Sequence, residues 1–180
     1  MNPRQLSAIS LLAALGAVIR IGLGKVALVV PLDIYGVLIK VGLTETLTFV
    51  AGLALGPLQG FLTGSLIIVV SDMFMMPGIW TPFIAAIIGL IGVISGFLRR
   101  LANKPSRLFL SLSAISLTLT SEFLQNAWFA VFFQIPLIPT LLMGIPSMAT
   151  ALVNNVILFT LLGNRMVKMI REVASQPKNG

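Results

Sequence analysis

Cysteine and histidine are both absent from this chain of 180 residues. Without cysteine there is no disulfide and no thiol chemistry. Without histidine there is no imidazole metal centre and no imidazole acid–base step. Charge is also scarce: 9% of residues are charged and 57% are hydrophobic, whereas a soluble domain carries about 25% charge. So few polar groups cannot cover a globular surface, so the solvent for most of the chain must be lipid. No phosphate-binding loop is present, and no paired carboxylates stand at a useful catalytic spacing. No catalytic residue, metal site or cofactor is therefore expected, and an integral membrane enzyme is disfavoured. The net charge of +7 raises the question of nucleic acid, but its placement answers to membrane topology instead.

What charge there is falls between long apolar runs. Between Lys40 and Arg99 the only charges are Glu45 and Asp72, and between Arg107 and Arg165 the only one is Glu122. Runs of this length suit transmembrane helices of about 20 residues; membrane strands would alternate polar with apolar. Residues 1–24 lack the polar, small-residue exit of a cleaved signal, and Arg20 and Lys25 close the run, so it reads as a first span. Pro, Gly and charge clusters then set the breaks. The expectation is an all-α integral membrane protein, one six-helix domain over 1–180, with helices at about 5–24, 34–55, 57–75, 82–101, 107–134 and 139–168. Six spans put both termini on one side. Nine of the twelve basic residues would lie there, including Arg4, Arg99, Arg100, Arg107 and Arg171, which makes it the cytoplasm.

Glycine recurs every fourth residue at Gly52, Gly56, Gly60 and Gly64 in "GLALGPLQGFLTG". Pro57 divides the series, because a proline suits the first helical position. Two small faces on consecutive helices result, and such faces let backbones approach closely in lipid. Ser71 extends the second face, while Asp72 lies off it, before the loop carrying Trp80. Helix 1 has two small pairs, Ala13 with Ala17 and Ser10 with Ala14, suited to packing inside the chain or to a partner.

The fifth helix is richest. Thr118, Glu122, Asn126, Phe129 and Phe133 share one stripe, flanked by Gln125. An acid in mid-membrane costs about 2.5–3.5 kcal/mol on insertion scales and marks a functional site by default. Carboxylate, amide and aromatic rings in sequence suit a pocket for a flat polar ligand: rings to stack on it, polar groups to orient it. Helix 6 adds Ser147, Thr150 and Asn154 on one face, with Asn155 as a second amide and Pro146 as an expected kink. Trp80 is either an interface anchor or a lid residue over the pocket. The basic, amphipathic tail "NRMVKMIREV" is expected to touch anionic lipid.

Taken together the chain resembles the substrate-binding S component of energy-coupling factor (ECF) type vitamin transporters. The resemblance spans the whole length. It is carried by "ETLTFVAGLALGPLQGFLTGSLIIVVSD", residues 45–72, with its Gly-Pro turn, spaced glycines and terminal acid, and by the Ala13/Ala17 pair. The resemblance implies a subunit of a prokaryotic plasma membrane that holds its substrate at the outer side with helices 4–6 and the outer loops. It implies as partners a transmembrane T subunit, docked on the Ala13/Ala17 face, and two cytoplasmic ATPases. The implied pocket falls where Glu122, Asn126, Phe129, Phe133, Thr150, Asn154 and Trp80 lie. Metal-transporting relatives use an N-terminal Met-His segment; this chain begins Met-Asn-Pro, so nickel or cobalt is disfavoured. Acids without arginine in the outer halves of helices 4–6 suit a neutral or cationic heterocycle, such as a thiamine-, riboflavin- or pyridoxine-like compound. Lys25 or Lys40 leaves pantothenate or folate open. The competing expectation is a standalone secondary transporter or small channel with Glu122 as its proton or cation site, although no inverted repeat with broken helices is visible.

Overall fold

A computed structural model describes residues 3–29, 43–101 and 106–175. Among them there are six helices and no strand: α1 (Pro3–Val29), α2 (Leu43–Leu55), α3 (Pro57–Met75), α4 (Thr81–Leu98), α5 (Arg107–Phe132) and α6 (Leu137–Ser175). Five of them, all but α2, are long and apolar enough to cross a membrane. The predicted start of helix 2, residues 34–42, lies outside the described residues, as does Lys40; nothing is described of the Lys25 side chain.

The architecture is set by α2. Every residue from 45 to 56 is buried, and α1, α3, α4 and α6 all pack around this segment. With other helices on every side, this segment forms the centre of the bundle, and its Glu45, Thr46 and Thr48 are enclosed with its apolar residues. Phe49 meets Phe159 of α6 edge to face, with ring centroids 5.6 Å apart. The outside of the bundle carries the large apolar side chains that lipid requires: Leu11 (71% exposed), Met73 (71%) and Val131 (80%). That much apolar surface does not face water.

The glycine series has the divided form its proline implies. Gly56, with φ 125°, forms the turn, a backbone conformation that side chains resist. Beyond it, α4 fits against both small faces at once. A Cβ on Gly60 would lie 2.4 Å from the Gly92 carbonyl oxygen, and one on Gly92 would lie 2.3 Å from that of Gly60. Ser95 Oγ then donates to the Phe49 carbonyl at 2.6 Å, and Ser65 Oγ to the Ala85 carbonyl at 3.0 Å. Such contacts replace the hydrophobic effect as the source of helix association in lipid.

Several boundaries differ from expectation. α1 runs on past Arg20 and Lys25 to Val29. Arg20 does not end the span, because Asp72 of α3 neutralises it inside the bundle. α6 continues to Ser175, seven residues beyond the predicted end at 168, since its basic tail is still helical. Pro146, the expected kink position, lies inside the continuous α6, and Thr150 Oγ1 donates to the carbonyls of Pro146 (3.2 Å) and Ser147 (2.9 Å).

Candidate functional site

The first turns of α4, the last turns of α5 and the first turns of α6 lie at the same end of the bundle, opposite Arg99, Arg100 and Arg107. Between them is a cleft of about 200 Å³ lined by Ile84, Glu122, Gln125, Asn126, Trp128, Phe129, Gly144 and Ser147. Five of the residues singled out from the sequence, Glu122, Gln125, Asn126, Phe129 and Ser147, thus line one space. Phe133 stands behind Phe129, with ring centroids 4.4 Å apart. Trp80, Thr150 and Asn154 are not brought to this lining. The Trp80 indole lies against Gly78 and is 40% exposed. Thr150 is turned to its own helix backbone, and Asn154 is half-buried further along α6.

One wall is aromatic and fixed. Trp128 is stacked between Phe83 (centroids 5.2 Å apart, planes 30°) and Phe132 (5.1 Å, 18°). The other wall is polar. Asn126 Nδ2 donates to the Glu122 carbonyl at 2.8 Å, which commits one donor and leaves the Oδ1 acceptor free of that bond. The Gly144 backbone closes on this amide: a Cβ there would lie 2.7 Å from Asn126 Oδ1. No lysine or arginine is among the described lining residues.

Behind the cleft lies a buried polar network that the sequence reading did not assemble. Glu122 is 1% exposed, and Glu45, Ser121, Thr118 and Asn155 are also buried. Gln125 Nε2, on the cleft, donates to Ser121 Oγ at 2.9 Å. Ser121 Oγ donates to Glu45 Oε1 at 3.4 Å. Asn155 Nδ2 donates to Glu45 Oε2 and, at 3.0 Å, to Thr118 Oγ1, while Asn155 Oδ1 accepts from Thr46 Oγ1 at 3.3 Å. Buried polar groups in low dielectric hold one another in fixed positions. Glu45 was the available signal, since an acid inside a span is functional by default. The inward-facing amide of α6 is Asn155, not its neighbour Asn154.

Helix 1 shows a similar one-residue distinction. Ala13 and Ala17 are 4% and 1% exposed. Ala13 packs with Leu47 and Ala51 of α2 and Ile67 of α3. Their face is therefore internal, and the docking role expected of it is not available in this conformation. The pair on the free side of α1 is Ser10 and Ala14, among the exposed Leu11, Leu15 and Val18.

The fold and cleft define a polytopic helical membrane protein with a recess of about 200 Å³ at one end, lined by one acid and no basic residue among those described. The model of a known family, the ECF-type riboflavin transporter, S component, matches residues 1–168. The chain belongs to that family, whose members are substrate-binding transport subunits and not enzymes. Comparison with curated proteins and with solved structures returns no significant match.

Proposed function

We propose that this chain is the subunit that captures riboflavin for an ECF-type importer, with the isoalloxazine ring in the cleft between α4, α5 and α6. The single observation that carries this reading is the lining itself. Phe129 offers a ring face and Trp128 an aromatic edge, Asn126 and Gln125 offer amides for an imide edge, and among the described lining residues no cation is present for a phosphate. Stacking and edge-on hydrogen bonds suit a flat heterocycle. Sites that enclose a whole drug-sized ligand measure about 300–1,000 Å³. The smaller recess here suits one ring system, with the ribityl chain towards the open mouth. The lack of cations among the described lining residues favours riboflavin over its phosphorylated forms.

The distribution of basic residues supports cytoplasmic termini and an outward-facing cleft, in the plasma membrane of a prokaryote. The partners are a transmembrane T subunit and two cytoplasmic ATPases, which supply the ATP hydrolysis. On α1 the exposed Ser10/Ala14 side is the face open to the T subunit.

Purified protein titrated with riboflavin should quench flavin fluorescence at 1:1 stoichiometry without ATPases. Flavin mononucleotide should bind far more weakly. Glu122→Gln and Asn126→Ala should weaken riboflavin binding without loss of fold; unchanged affinity in both would remove the cleft from consideration. The alternative of a standalone proton- or cation-coupled carrier draws on the network joining Glu45 to the cleft. Uptake driven by a proton gradient in liposomes holding this chain alone would favour that alternative.

A further inference from the structure

At the other end of the bundle, a second cavity of about 390 Å³ opens where α2 turns into α3 beside the end of α4. Gln59, Arg99 and Arg100 line it, with the backbone of Gly56, Pro57 and Gly96. Arg99 Nη1 donates to the Leu55 carbonyl at 2.8 Å, the unpaired C-terminal end of α2. Arg100 lies over the Phe97 ring, 5.5 Å from its centroid. Both arginines are exposed, and neither forms an ion pair with an acid among the described residues. Arg171 of α6 donates to the Leu53 carbonyl at 2.9 Å on the same end of α2. Two guanidiniums, Arg99 and Arg100, thus line one cavity, and they stand in a stretch of sequence without acids, since between Asp72 and Glu122 no carboxylate occurs.

The surroundings are apolar. Leu58 is 59% exposed, Phe97 50% and Leu101 75%. A soluble anion gains nothing from such a rim, whereas a lipid places its phosphate among cations and its acyl chains on apolar side chains. Basic pockets between helices on the cytoplasmic side suit anionic headgroups, and the planar fork of arginine suits phosphate oxygens. We propose that this cavity binds the phosphate headgroup of an anionic phospholipid, held by Arg99, Arg100 and Gln59, with its chains along Leu58, Phe97 and Leu101. The site is separate from the cleft, so it stands whether or not the cleft holds riboflavin.

The test is native mass spectrometry and thermal shift on the full chain in detergent. The probes are short-chain phosphatidylglycerol, short-chain phosphatidylcholine and inorganic phosphate. Phosphatidylglycerol should be retained as a single adduct and raise the melting temperature; phosphatidylcholine should do neither. Each arginine removed, as Arg99→Gln or Arg100→Gln, should weaken retention roughly fivefold. Arg100→Gln touches no helix carbonyl, so it carries the test should Arg99→Gln fail to fold. Equal retention of phosphatidylcholine, or retention unaffected by Arg100→Gln, would overturn the proposal. Full displacement of the lipid by millimolar phosphate would assign the cavity to free phosphate instead and overturn the lipid assignment.

Discussion

Arg20 of α1 and Asp72 of α3 form an ion pair inside the bundle, with Asp72 the more enclosed partner: its side chain is 5% exposed and that of Arg20 30%. Arg20 also donates to Ser71 Oγ. The second carboxylate oxygen of Asp72 accepts from Thr81 Oγ1 at 2.7 Å, and Thr81 Oγ1 in turn accepts from the Gly78 backbone N–H at 3.2 Å. One carboxylate therefore ties α1 to the start of α4 and fixes the loop between α3 and α4. Three residues on, Ile84 lines the cleft, so the tie reaches the candidate site through a single helical turn.

Asp72→Ala should lower stability by about 1–3 kcal/mol. Removing one member of an enclosed pair leaves the other charge uncompensated, and partial exposure of Arg20 moderates the cost. The double variant Arg20→Met/Asp72→Met should recover much of that loss, because apolar replacement of both partners is frequently near neutral. Thermal unfolding of the three proteins in detergent checks this. A double variant no better than the single would show that Thr81, and not the ion pair, carries the effect.

Gly144→Val should reduce affinity for the cleft ligand at least tenfold while leaving the fold intact. A side chain at this position meets Asn126 Oδ1, since even the first added carbon would stand 2.7 Å from it. The amide must then turn or the cleft must fill. The half-buried position of Gly144 leaves the bundle core untouched. Equilibrium binding with riboflavin reads the loss; wild-type affinity would mean that Asn126 is not a ligand contact.

How far the site was legible depended on whether a feature is local or tertiary. The bounds of α3, Pro57–Met75, follow from the Gly-Pro turn and the following loop, so they could be read directly. The Glu122–Asn126–Phe129 stripe was legible for the same reason, being a property of one helix. Asn154 and Asn155 are adjacent, about 100° apart around α6. Which of them faces inward depends on how α6 rotates against α2 and α5, and only packing settles that. The two small pairs of α1 pose the same problem: the sequence suits both to packing or to a partner, and Ala13 and Ala17, to which the resemblance assigns docking, are the buried pair. The length of α6 was missed because basic residues after Asn164 suit a membrane boundary, although they do not end a helix.

Gln134→Gly should stabilise the protein by about 1 kcal/mol. The α5–α6 turn is a Schellman ending: the Ile135 N–H donates to the Ala130 carbonyl at 2.9 Å and the Gln134 N–H to that of Val131 at 3.4 Å. Gln134 occupies the left-handed position with φ 55°, where glycine is usual and any other side chain costs about 1–2 kcal/mol. Part of the gain is returned through the freer unfolded chain. A rise in melting temperature with unchanged ligand affinity is the expected result, and a fall would indicate that the Gln134 side chain makes a contact that outweighs its strain.

Ala14→Trp and Ala13→Trp should fail in different ways although the residues are neighbours. Ala14 lies on the free side of α1. A bulky ring there meets lipid in the isolated chain, so folding and ligand binding should remain as in wild type. In the proposed docking on a T subunit, α1 comes close to another backbone, where small residues are needed, so transport by the assembled complex should be lost. Ala13, 4% exposed, sits between α2 and α3 with Ala51 and Ile67. A ring forced into that space overpacks the core by about 1–3 kcal/mol or more, so this variant should lose stability and ligand binding before any partner is added. Binding assays on the isolated chain and uptake assays on the complex separate the two. If Ala13→Trp instead bound normally and only failed to transport, α1 would have to rotate its buried face outward on docking.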